Sequence, residues 1–187
     1  LQVSAHLNEI YLQNLCAFAR NFLLSRSRNN ICVVLFNGNS ARVAYPRCVE
    51  SLIEARSSGF MFEDPHSIIE AELADMLRDA TSSTFDSTSR IATGSSPQLS
   101  QALTKCICIV NKCMVVSRSQ STTLRVPVHS RILVLGPGGD FSGQYIHIMN
   151  ASFAARRMHV KIDCISTGTA AAPMLEQLAD VTDGFYL

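Results

Sequence analysis

Apolar side chains recur at helical spacing through Leu7, Ile10, Tyr11, Leu15, Phe18 and Phe22, so the chain opens on an amphipathic helix. A polar stretch from Ser25 to Asn30 ends it. The period then shortens. Ile31 to Phe36 form a continuous apolar run, Asn37-Gly38-Asn39 supply a turn where positive φ costs little, and Ala41 to Tyr45 return as a hairpin. Asp64-Pro65 starts a second helix, with Asp64 as cap, Pro65 in the first turn and an inward stripe of Ile69, Leu73, Met76 and Leu77. The residues from Thr81 to Ser96 are rich in Ser and Thr and read as a loop. Ser96-Pro97 repeats the cap-and-proline device before a third helix marked by Leu99, Leu103, Cys106, Val110 and Cys113.

After a polar linker from Ser117 to Ser130, strands and helices alternate. Ile132 to Leu135 is an apolar strand of the kind covered on both faces. A helix from Gly143 to Arg157 follows, then a strand from Val160 to Ser166 and a helix from Pro173 to Asp180. Gly184 closes that helix, and Phe185-Tyr186-Leu187 begin a last strand. Such alternation implies right-handed β-α-β crossovers. The expected architecture is α/β, a Rossmann-like doubly wound, mostly parallel sheet flanked by helices, with one antiparallel edge hairpin.

Composition narrows the function. The 187 residues suit a single domain over 1–187. A net charge of +1 gives no global field to gather nucleic acid or acidic lipid, so neither direct nucleic-acid contact nor a membrane partner is expected. No apolar run approaches the roughly 20 residues needed to span a bilayer, and no leader peptide is expected. The seven cysteines (Cys16, Cys32, Cys48, Cys106, Cys108, Cys113 and Cys164) lack paired C-x-x-C spacing and read as reduced thiols. On a helix Cys106 and Cys113 share a face while Cys108 points away, so the three do not close on one zinc.

The stretch "ILVLGPGGDFSGQYIHIMN" looks like a nucleotide site, because a strand meets glycines just before a helix. The dinucleotide fingerprint needs glycines at offsets zero, two and five. Gly136 and Gly138 fit, but the third position is Phe141, and Pro137 removes an amide that a phosphate would use. No Gly-Lys-Ser/Thr follows, which excludes a P-loop. The plain reading is a turn that uses glycine for positive φ, with Ser142 capping the next helix. His6, His66, His129, His147 and His159 are scattered, and no G-x-S-x-G elbow is present. No catalytic set emerges.

On a helical wheel, Tyr145, Ile146, Met149 and Phe153 should pack on the sheet, and His147, Asn150, Ala154 and Arg157 make a polar arc. Ile148, Ala151, Ser152 and Ala155 form a strip of small and apolar side chains rimmed by His147 and Arg156. That strip is a candidate partner surface. A neighbouring helix of the same domain covering it is the alternative.

The stretch "SRILVLGPGGDFSGQYIHIMNASFAARRMHVKIDCISTG" and the closing "LEQLADVTDGFYL" carry a resemblance. Gln144, Tyr145, Met149, Asn150, Phe153, Ala154 and Ala155 follow the pattern Gln-Tyr-x-x-x-Met-Asn-x-x-Phe-Ala-Ala. Together these segments resemble the von Willebrand factor A domain of the smaller such subunit of TFIIH, the general transcription and DNA-repair factor. They cover roughly the last third of the chain; the rest matches in element order and in the "YP" after the hairpin.

The resemblance implies a nuclear, non-catalytic subunit of the TFIIH core. It would act in RNA polymerase II initiation and nucleotide excision repair by binding the zinc-binding region of the other von Willebrand A subunit. The family's first central strand should precede the Leu7 helix, where only Leu1 to Ser4 stand, so that strand is expected to be missing. Zinc is expected in a C-terminal module that is not included. Many such domains hold Mg²⁺ at the strand ends, but Gly136, Gly138 and Gly139 occupy that loop with Asp140 displaced, so the metal site is expected to be degenerate, with no cofactor in this domain. Two other readings stand beside this one: a von Willebrand A scaffold of the proteasomal ubiquitin-receptor type, and a Rossmann-like nucleotide enzyme.

Overall fold

The computed structural model describes residues 2–26, 29–38, 40–48, 52, 64–83, 98–120, 129–136, 141–168 and 172–187. The elements are α1 (Gln2–Ser25), β1 (Val33–Phe36), β2 (Ala41–Tyr45), α2 (Pro65–Ser83), α3 (Leu99–Gln120), β3 (Arg131–Gly136), a 3₁₀ turn (Ser142–Gln144), α4 (Tyr145–Arg157), β4 (Lys161–Ser166) and α5 (Pro173–Val181). The chain divides into two compact units, Leu1–Leu35 with Arg42–Ile91, and Phe36–Ala41 with Ala92–Leu187.

In the first unit α1 packs against α2. Its core is Cys16, Val33, Ala44, Tyr45, Ile68 and Ile69, with Leu12, Leu15 and Leu23 partly buried beside them. The helix turns its small residues inward: Cys16 and Ala19 are buried while Tyr11, Phe18 and Phe22 are exposed, so much of the expected inward stripe faces out. The start of α2 follows the sequence. The Asp64 carboxylate accepts a bond from the His66 amide and pairs with Arg20 at 2.8 Å, which holds its pKa below the usual carboxylate range, chiefly through the Arg20 bond. Ile69 and Met76 are buried as expected, but Leu77 is exposed. β1 and β2 pair as a two-stranded sheet, and the four residues between them are too few for a parallel crossover.

The second unit holds the parallel pairing. β3 and β4 run in register from Arg131↔Lys161 to Gly136↔Ser166. Tyr186 bridges Cys164 in the same sense, adding a third rung. Ile132, Val134, Ile162 and Cys164 point into a core closed by Leu99, Leu103, Ile148, Leu175 and Leu178. On the other face Leu133 and Leu135 remain partly exposed, so the described residues cover this parallel pair more fully on one side. The described residues form two two-stranded sheets, and a doubly wound sheet is not seen among them. Residues 2 to 25 are helical, so no strand precedes Leu7 among the described residues.

Helix α3 runs to Gln120, through part of the expected polar linker. By length and apolar composition Leu99–Ser119 could cross a membrane, contrary to the sequence expectation. Leu99 and Leu103 are fully buried in the core of this unit, and Lys105, Lys112 and Arg118 lie exposed farther along. Beyond Leu103 none of its described residues is buried.

Helices α4 and α5 end alike. His159 and Asp183 take left-handed φ of 58° and 54°, and the next amide reaches back five residues, Val160 to Ala155 and Gly184 to Ala179, each at 2.9 Å. The left-handed residue that closes α5 is therefore Asp183, and Gly184 has another task. A Cβ there would sit 1.9 Å from the Ile162 carbonyl oxygen, so glycine is required where the chain crosses β4. Thr182, fully within this corner, accepts from the Ile162 amide at 3.0 Å and donates to the Leu178 carbonyl at 3.0 Å.

Candidate functional site

In open α/β sheets ligands gather at the carboxyl ends of the strands. Here β3 ends at Gly136 and β4 at Ser166, and the Thr167 amide donates to the Gly136 carbonyl at 2.8 Å. An added Cβ at Gly136 meets nothing within 4 Å, and its φ lies outside the left-handed region, so neither space nor strain demands glycine there. The rest of the expected metal loop, Gly138, Gly139 and Asp140, lies outside the described residues.

Ser166 Oγ is buried without a hydrogen-bond partner among the described residues, so none of those residues serves it as a base. Among the described residues no group of three His, Cys, Asp or Glu side chains is placed to hold a metal ion. Cys106 and Cys113 are partly buried and Cys108 is exposed, as helical spacing requires. Burial pushes the Cys106 thiol up to about 11 and the Cys164 thiol up to about 12, so both are protonated at neutral pH and poor nucleophiles.

Of the two readings of the candidate partner strip, burial favours the one in which the domain itself covers it. Ile148, Ala151, Ser152 and Ala155 belong to the buried face of α4, and the Ser152 hydroxyl bonds the Met149 carbonyl at 2.8 Å. They cannot meet a partner without unfolding. Of the four residues expected to pack on the sheet only Met149 is buried; Tyr145, Ile146 and Phe153 face out. Ala151, Ser152 and Ala155 let the helix backbone approach the core closely, beside the buried Ile148 and Met149. The expected rim splits. His147 is exposed, while Arg156 donates to the Val181 carbonyl at 3.2 Å and ties α4 to the end of α5.

The cap is corrected too. The N-cap position of α4 is Gln144, with no side-chain capping bond. Instead its Oε1 accepts from the Ser100 amide at 3.1 Å and the Ser100 hydroxyl at 2.8 Å, a buried polar bridge to the first turn of α3. Sequence reasoning missed this pair because its partners lie 44 residues apart.

An ion pair pins the strand edge. Arg131 makes two 2.8 Å bonds to the Asp163 carboxylate, which also accepts from the Phe185 amide at 2.9 Å. The guanidinium lies 5.7 Å from the Phe185 ring centroid. The Arg131 bonds hold the Asp163 carboxyl below its ordinary range. A depressed carboxylate adds stability that is present above its unfolded pKa and lost as pH falls through its folded one. Asp163→Asn is therefore expected to lower the melting temperature at pH 7, with the gap to the parent closing as the pH falls below the ordinary Asp value of about 3.9. Thermal melts of both proteins across pH check this, and a gap independent of pH would remove the ion pair as the cause.

A family model described as transcription factor Tfb4 matches residues 2–187. The chain is 26% identical over 181 residues to the general transcription and DNA repair factor IIH subunit TFB4 of Kluyveromyces lactis, covering 94% of this chain and 51% of that protein. It is 40% identical over 67 residues to the subunit of the same name from Debaryomyces hansenii, covering 36% of this chain and 17% of that one. The chain thus spans about half the length of the first of these relatives and a smaller share of the second. Among solved structures, the crystal structure of the TFIIH p34 N-terminal domain superposes with a TM-score of 0.74 at 23% identity, covering 95% of this chain and 78% of that one. At that identity the likeness speaks to the fold alone.

Proposed function

Because the chain belongs to the Tfb4 transcription factor family, matched from residue 2 to residue 187, we propose that it serves as a non-catalytic subunit of TFIIH. The family match over nearly the whole chain carries this reading. Its work would be RNA polymerase II initiation and nucleotide excision repair in the nucleus; the relatives are named as subunits of a general transcription and DNA repair factor. In this reading the chain acts by being held in place. Its partner is the zinc-binding region of the other von Willebrand A subunit of the complex, while other subunits supply helicase activity. The near-neutral charge supports a protein gripped by proteins, with no contact to nucleic acid or membrane of its own.

This domain would carry no cofactor, since three glycines stand in the metal loop, and zinc would belong to a C-terminal module of the longer protein. Millimolar Mg²⁺ is then expected to leave the melting temperature unchanged, because a bound ligand stabilises by about 2.7 kcal/mol at one hundred times its Kd. An upward shift abolished by Asp140→Ala would restore a metal site. The functional test is purification of the tagged full-length protein with its companions identified by mass. Recovery of TFIIH subunits, with direct capture of the partner's isolated zinc region, is the expected result. Recovery of proteasome subunits instead would overturn it.

A further inference from the structure

We draw no further inference here: the strongest candidate, the open face of the β3–β4 sheet where Leu133, Leu135, Phe185 and Leu187 stand exposed, carries none because nothing in the structure shows what covers it.

Discussion

Gly184→Ala is expected to destabilise the protein by about 3 kcal/mol or more, near the upper end of overpacking effects. The new Cβ would fall 1.9 Å from the Ile162 carbonyl oxygen and 2.6 Å from its carbon, and both atoms are backbone. A side chain could swing aside; a carbonyl inside a parallel ladder cannot. Relief would have to come from moving the turn, which carries the Thr182 bond to the Ile162 amide and the bridge of Tyr186 to Cys164. At this chain length the melting temperature should fall by about 6 to 12 °C. Asp183→Gly is the control. It removes a non-glycine side chain from left-handed φ and should change stability by less than about 1 kcal/mol. Equal behaviour of the two variants in denaturant titration would mean that the turn does not cross the strand so closely.

Ala155→Glu is expected to abolish stable folding, and Ala154→Glu, one residue earlier, to leave it intact. Ala155 is 0% exposed within the core of its unit, while Ala154 faces solvent. A buried carboxylate without a partner costs about 3–5 kcal/mol, which is a large share of the 5 to 15 kcal/mol, roughly, that holds a domain together. Circular dichroism and the denaturation midpoint of the two variants decide the matter. A folded Ala155→Glu protein that failed only in partner binding would return the small-residue strip to the surface.

Most element ends were legible in the sequence because they depend on local chemistry. Ala41 to Tyr45 form a strand as expected, and Asp64-Pro65 opens a helix. Pro173 opens another, and Ile132 to Leu135 lie inside β3. The end of α3 was missed because Ser117 to Gln120 are polar but can still propagate a helix. Of the candidate site, only the absence of a recognisable catalytic or nucleotide motif was readable. The phase of two helices was not. Periodicity reports that apolar residues repeat, but α4 has them on two arcs, and both arcs have the right period.

What the sequence determined by itself is therefore the set of elements, their local starts and their family pattern. The tertiary structure alone decided which arc of α4 turns inward, why residue 184 must be glycine, and which buried group Gln144 satisfies. Each of these depends on how near another backbone comes. Ala151, Ser152 and Ala155 face in because a helix packs closest through its smallest side chains. Gly184 is fixed by a carbonyl 22 residues before it, and Ser100 meets Gln144 across 44 residues. No local pattern encodes those distances, because they arise only when the elements are brought together.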